Sequence, residues 1–315
     1  MHIAIIGAGL AGLSCARRLQ AAAFPVHVFD KSRSVGGRVS TRRVELAHGV
    51  AQFGHAPQFS TARDEALAEA VSALPPETSL PWQANRAKKD WRVAAPCMSA
   101  SPKALADGLV IRVSTKVEAL VRDGAGRALI GENAIALGRY DPIFLAVPAE
   151  QAALLLASIA PRQAREAAHA VTAPCWAGRF AFARSGDTPP GQPELNAHPI
   201  LAWLASDCAK PGRPAALECW VAHAHQAWSR AHMDMTPAAV TPFLFDAAQS
   251  ATGPLPTPVV AQAPHWRSAK GEQASGIAVA RDADRRLDVC GDCRLGPRVE
   301  LACSSGHECA GAFLS

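Results

Sequence analysis

The chain has 315 residues, of which 49% are hydrophobic, and its 32 basic and 27 acidic residues give a net charge of +5. That length and apolar content exclude a disordered chain and allow two domains or one large discontinuous domain. The basic residues form no long block, which argues against a nucleic-acid arm, and no apolar run reaches the roughly 18 residues of a membrane span.

His2 to Ile6 reads as a short apolar strand, and Leu10 to Ala23 as an amphipathic helix carrying Arg17, Arg18 and Gln20 on one side. Val26 to Phe29 reads as a second strand, apolar enough to be covered on both faces. Together they form a βαβ unit, which belongs to a parallel sheet. Ile3 to Leu13 has the apolar character of a signal-peptide core, but only Met1 and His2 precede it and three glycines interrupt it. Further along, Leu109 to Leu120 reads as strand, Asp123-Gly124 as a turn into another β segment, Ile143 to Val147 as a buried strand stopped by Pro148, and Ala149 to Ile159 as a helix. The Pro-rich stretches Leu74 to Pro81, Gly186 to Pro199 and Gly253 to Pro258 are expected loops or boundaries. All seven tryptophans (Trp82, Trp91, Trp176, Trp203, Trp220, Trp228 and Trp266) fall between residues 82 and 266. That placement separates a small-residue frame from an aromatic-rich middle.

The strongest motif is Gly7-Ala8-Gly9-Leu10-Ala11-Gly12, between the first strand and the first helix. Gly7 permits a tight turn, Gly9 lets backbone approach a pyrophosphate, and Gly12 allows close helix–strand packing. The helix N-terminus then offers free amides and a positive dipole end to the phosphates. Asp30 closes the second strand, where a carboxylate can accept from ribose hydroxyls. Just beyond it, Gly36-Gly37-Arg38 supplies bare backbone beside a guanidinium, a second clamp for a pyrophosphate. This extension resembles the GG motif of two-dinucleotide-binding-domain flavoproteins and points to FAD rather than NAD. Leu287 to Asp292 reads as strand, turn and carboxylate, and Gly291-Asp292 looks like the Gly-Asp motif with which those flavoproteins hold the ribityl and phosphate part of FAD. Ser304-Ser305-Gly306 then leads into a final helix, whose N-terminus would favour negative charge on the pyrimidine end of a reduced flavin.

Taken together, the chain resembles the renalase-like branch of the flavin amine oxidase family over nearly its whole length. The resemblance is carried by the opening glycine motif, Gly36 to Arg43, Gln58-Phe59-Ser60-Thr61-Ala62-Arg63, Pro96-Cys97-Met98-Ser99-Ala100, Trp220-Val221-Ala222-His223-Ala224, Trp228-Ser229-Arg230 and the Gly-Asp segment. It implies an α/β fold: a discontinuous Rossmann-like FAD-binding domain (1–72, 97–148 and 270–315) with an inserted α+β antiparallel-sheet substrate domain (73–96 and 149–269). It also implies hydride transfer from a small reduced substrate, a dihydronicotinamide dinucleotide or an amine, to flavin, with oxygen as the acceptor that reoxidises it. Gly7, Gly9, Gly12, Asp30, Gly36, Gly37, Arg38 and Asp292 are the expected cofactor residues; Ala11, Lys31, Val117, Gly291 and Val299 complete the set. His223, His265 and Trp266 are the substrate-pocket candidates. A degenerate member that keeps the fold without turnover, and a plain NAD-dependent dehydrogenase, are the rival readings.

Several positions depart from the family's pattern. Its Asp-His-Gly-Ala-Gln-Tyr run reads Gly54-His55-Ala56-Pro57-Gln58-Phe59 here, and Pro264 to Ser268 stands for its His-Arg-Trp-Arg-Tyr run. Cys97 and Leu301 take positions where glycine is common, and Cys293 takes one usually held by Trp. Glycines beside a flavin exist because a ring or phosphate lies where a Cβ would be, so these changes bear on flavin geometry more than on fold. Cys290-Gly291-Asp292-Cys293 is formally a C-x-x-C, but without a thioredoxin-like context it reads as two cysteines flanking a turn. Adding Cys303, His307 and Cys309 would make a zinc cluster of irregular spacing over the flavin segment, so no metal is expected. Nine cysteines, an odd and irregular set, fit a reducing cytoplasm better than a secreted disulfide framework.

Overall fold

A computed structural model describes residues 2–47, 49–61, 75–83, 90–124, 126–184, 195, 197–214, 216–281 and 286–315. Most of the Gly186 to Pro199 stretch, and Ala62-Arg63 of one family-like segment, lie outside the described residues.

Ile3–Ile6 is buried at every position, as the centre of a parallel sheet requires. It pairs in parallel with Val26–Phe29 on one side and with Ile143–Leu145 on the other. Val110–Arg112 and Leu287–Val289 extend the parallel sheet outward, and Ala280–Arg281 adds an antiparallel edge. The Leu10–Ala21 helix lies on one face with Val299–Leu314 beside it, and Leu13, Ala16 and Leu19 share a core with Cys309 and Ala310. The two helices approach so closely at Gly306 that a Cβ there would fall 1.9 Å from the Ala11 carbonyl oxygen. Ser304-Ser305-Gly306 therefore lies inside this helix rather than ahead of it. The chain has no breaker at that point, and the helix begins at Val299.

On the opposite face, Ala152, Leu155, Leu156, Ala164 and Ala167 share a core with Ala4, Ile6, Phe29 and Ile143. The helices that carry them, Ala149–Leu156 and Pro161–Ala168, are thus packed on the parallel sheet, although the sequence assigns 149–168 to the substrate domain. The apparent single strand from Leu109 to Leu120 is also two. Val110–Arg112 joins the parallel sheet, Ser114 turns the chain at φ 50°, and Val117–Asp123 enters a separate antiparallel sheet with Gly126–Gly131 and Ala136–Tyr140.

The aromatic-rich middle forms a five-stranded antiparallel sheet. Leu201–Ser206, Leu217–Ala224, Thr172–Ala183 and Val260–Gln262 lie side by side, and His265–Gly271 also pairs with Thr172–Ala183. Strand periodicity divides its side chains. Trp176, Phe180, Trp220 and Ala222 pack with Val240 and Leu244 of the Pro237–Thr252 helix. Ala181, Cys219 and Val221 on the alternate positions pack with Ala51 and Phe53 of the Gly49–Phe53 strand. His223 has the parity of Val221, so it looks away from the helix, toward the space between the two sheets.

Candidate functional site: a cleft between the two sheets

The cleft has a volume of about 1200 Å³. One end is built by the loops that leave the carboxyl ends of the parallel strands, which is where ligands of open α/β sheets bind. Gly9, Leu10 and Ala11 line it after Ile3–Ile6, Ala146 and Val147 after Ile143–Leu145, and Gly291 and Asp292 after Leu287–Val289.

The three glycines of the opening motif have separate tasks. Gly7 has φ +110°, and a Cβ on it would fall 2.3 Å from the Ala146 oxygen. A Cβ on Gly12 would fall 1.9 Å from the Gly7 oxygen. Neither lines the cleft; both let chain segments touch. Gly9 differs, because a Cβ there would meet nothing within 4 Å and would project into open space. It is the N-cap of Leu10–Ala21, with no side-chain cap and no acidic residue in the first turn. The first amides of that helix are therefore free to meet an anion. Gly37, at φ +52°, lies against Gly9 from above, and the Gly36 amide donates to the Ala8 oxygen at 2.8 Å.

Arg38 joins two distant motifs. Its guanidinium forms a two-pronged ion pair with Asp292, one nitrogen donating to Oδ2 at 2.7 Å and the other to Oδ1. Both residues line the cleft, so the second clamp and the Gly-Asp turn form one unit. Val299, Glu300 and Ala302, at the start of the final helix, close this end, and Thr61 donates to Glu300 Oε1 at 2.7 Å.

Of the expected cofactor residues, Gly9, Ala11, Gly36, Arg38, Gly291, Asp292 and Val299 come together in the cleft. Asp30 does not line it: its oxygens accept the amides of Ala8 and Ser32, both at 2.7 Å, and so brace the glycine turn. Lys31 is exposed and donates to Gln151, and Val117 is buried in the core beneath the parallel sheet. Neither lines the cleft.

The other end of the cleft is aromatic. Phe59 stacks on Trp91 at 3.8 Å, Trp203 lies 5.7 Å from each, and Trp228 and Trp266 complete the wall. His223 and Trp266 stand here as expected, but His265 does not: its ring stacks on Trp176, outside the cleft. Adjacent strand residues face opposite ways, so His265 and Trp266 could not both line one wall. The sequence reading missed His55, which stacks on Trp266 at 5.2 Å. Its signal was present in the departure Gly54 to Phe59, which was read as altered flavin geometry.

Burial pushes both cleft histidines down to about 4, with Arg179 and Arg42 adding to the effect at His55, and Lys210 and His55 at His223. Both are neutral at pH 7. Because an unfolded histidine titrates near 6.5, the unfolded chain binds more protons than the folded one between about 6.5 and 4. Stability should therefore fall as pH drops through that window. A His55→Gln variant should show a shallower loss in melting temperature between pH 7 and 5 than the parent; equal slopes would contradict the assignment.

The buried cysteines of the first helix and the C-terminal segment behave as packing. Cys290 and Cys309 are in contact, as are Cys15 and Cys309; burial pushes Cys15 up and Cys309 well up, and Cys290 is held well up first by its contact with Cys309 and then by burial. Burial pushes Cys293 up to about 12. Such protonated thiols have little nucleophilic or ligating character. Among the described residues no group of three or more His, Cys, Asp and Glu side chains is placed to hold a metal, and no helix is long and apolar enough to cross a membrane.

Residues 5–74 match a family profile described as an NAD(P)-binding Rossmann-like domain. In architecture the whole chain is similar to a protein from Exiguobacterium sp. 255-15 described as a protoporphyrinogen oxidase, with a TM-score of 0.76 at 10% identity, covering 99% of this chain and 98% of that one. It is also similar to putrescine oxidase (TM-score 0.73, 12% identity, 99% and 98% covered). Cyclohexylamine oxidase from Brevibacterium oxydans IH-35A matches at a TM-score of 0.69 and 14% identity, with 99% of this chain and 98% of that chain covered. The chain thus shares its fold with these oxidases.

Proposed function

We propose that this protein is an FAD-dependent oxidoreductase that takes a hydride from a small reduced substrate, within the renalase-like branch of the flavin amine oxidases. The observation that carries this reading is the continuity of one cleft. At one end lie an uncapped helix N-terminus, bare Gly9 and the Arg38–Asp292 clamp; at the other lies an aromatic wall. The residues at the first end fit a dinucleotide: the free amides after Gly9 meet the pyrophosphate, and Asp292 with Gly291 meets the ribityl and phosphate portion. FAD bound there supplies the hydride acceptor, and oxygen serves as the final oxidant.

The chain's own part is to bind, orient and dry the reactants. Phe59, Trp91, Trp203 and Trp266 exclude water and offer ring faces to a flat substrate. His55 and His223 remain neutral, so neither repels a cation nor draws an anion. A dihydronicotinamide ring, flat and uncharged, suits that wall, and an amine in its free-base form is the second substrate class. The positive balance of the chain agrees with an anionic dinucleotide, and a cytoplasmic setting agrees with nine free cysteines.

Purified protein incubated with FAD should retain a yellow chromophore after desalting. Anaerobic addition of NADH, or of benzylamine and putrescine as amine probes, should bleach it, and admitted oxygen should restore it. Failure to retain flavin overturns the reading. Retained colour that no donor bleaches would favour the degenerate member, and saturable NAD binding without flavin would favour a dehydrogenase.

A further inference from the structure

Beneath the cleft wall lies a cation that the reaction as proposed does not use. Lys210 is entirely buried. Its Nζ lies 2.5 Å from Asp207 Oδ1, donates to Gln58 Oε1 at 2.8 Å, and stands 5.2 Å from the ring of Trp82. A lysine without solvent needs its partners to repay desolvation, and here one of them, Gln58, is a neutral side chain of the cleft.

The contact with Gln58 has consequences above it. An ammonium only donates, so it fixes the Gln58 oxygen toward Lys210 and the amide nitrogen the other way. That nitrogen donates to the Gly54 oxygen at 2.6 Å and the Ala56 oxygen at 2.8 Å, closing residues 54–58 into a stapled loop. Asp207 secures the same loop by accepting the Gly54 amide at 3.1 Å. His55 lies within this loop. Its Nδ1 faces the Phe53 oxygen at 3.4 Å, and its own carbonyl faces His223 Nε2 at 3.3 Å. A carbonyl can only accept, so His55 carries its proton on Nδ1 and His223 carries its proton on Nε2. The remaining nitrogens, Nε2 of His55 and Nδ1 of His223, hold lone pairs.

We propose that Lys210 is a positioning residue: through Gln58 it sets the Gly54–Gln58 loop and so holds His55 and His223 in single neutral tautomers, as two hydrogen-bond acceptors for a substrate that brings N–H donors. The inference rests on the functional reading given above and narrows it, since both a carboxamide-bearing dihydropyridine and a free-base amine carry such donors. The charges that face the two rings agree with it. Lys210 and His55 face His223, while Arg179, Arg42 and Asp207 face His55, a cationic balance that opposes protonation.

The test reads the histidines directly. Long-range ¹H–¹⁵N correlation spectra of ¹⁵N-histidine-labelled, FAD-incubated protein should show His55 as the Nδ1–H form and His223 as the Nε2–H form from pH 8 to about 5. In Lys210→Met both should become tautomer mixtures, and the His223 midpoint should rise by roughly one pH unit, a tenfold gain in the protonated fraction at fixed pH. Gln58→Leu keeps the Lys210–Asp207 pair but removes the staple. It should mix the tautomers without the full rise in midpoint, and it serves if Lys210→Met does not fold. Unchanged tautomers in both folded variants, or a mixture already present in the parent, overturn the proposal. The absorption spectrum of the same samples reports flavin separately: a colourless parent with intact single tautomers would defeat the functional reading and leave the role of Lys210 standing.

Discussion

Replacing Gly9 by valine should remove FAD binding while leaving the fold intact. At Gly9 the backbone is extended, with φ −78° and ψ −179°, a conformation open to any residue. An added side chain strikes no protein atom within 4 Å; it enters the cleft where the first helix presents its free amides. We expect the apparent dissociation constant for FAD to rise by roughly 100-fold, equivalent to about 2.8 kcal/mol, with an unchanged melting temperature for the apoprotein. Gly12→Val is the contrasting case. Its Cβ would lie 1.9 Å from the Gly7 oxygen, so the helix must leave the strand, and the expected product is insoluble or molten protein. Fluorescence titration with FAD beside thermal melting separates the two. If Gly9→Val binds FAD as the parent does, the pyrophosphate is not where the turn places it.

The second large effect is predicted at Asp207→Ala. Asp207 is 1% exposed and faces two buried cations, Lys210 at 2.5 Å and Arg213 at 3.6 Å. Removing the carboxylate leaves both without their counter-charge in a dry environment, for a loss of roughly 3–5 kcal/mol. Burial alone would push this carboxyl up, but Lys210, Arg213 and the Gly54 amide hold it below the usual carboxylate range. A depressed folded pKa gives stability that is present above the unfolded value near 3.9 and is lost as pH falls through the folded one. In the parent this loss should therefore begin only below pH 4, after the histidine-linked loss is nearly complete. Denaturant melts of Asp207→Ala at pH 7 should show the reduced midpoint; parental stability would mean that the two cations find other partners.

The end of the cleft proposed for FAD was legible in the sequence because each of its parts is local. A strand, three glycines at fixed spacing and a helix start specify an anion site within about ten residues, and Gly36 to Arg38 and Gly291-Asp292 are equally compact. Even so, the motif did not distinguish the tasks of its members. Asp30 reads as a ribose acceptor, yet it accepts from the Ala8 and Ser32 amides and does not line the cleft. Whether a carboxylate at a strand end reaches a ligand depends on the course of the next turn, which spacing alone does not encode.

The aromatic end was legible only as a type. Seven tryptophans in the middle of the chain announced an aromatic region, but four enter the cleft and the others pack beneath or behind it. His223 could be placed by strand parity with Val221, whereas His265 was lost because its strand turns the neighbouring Trp266 inward instead. His55, Gln58 and Lys210 gave no joint signal, since 152 residues separate Gln58 from Lys210.

What the sequence by itself determined was the dinucleotide frame: local turns, glycine positions and strand polarity follow from steric rules that act over a few residues. Only the tertiary structure decided the chemistry opposite that frame. Lys210 and the carboxylate that compensates it share one turn, but Gln58 and the two histidines above them come from other segments of the chain. Desolvation makes the lysine and its carboxylate tolerable only together, and they meet the glutamine and histidines only after the two sheets have closed on one another.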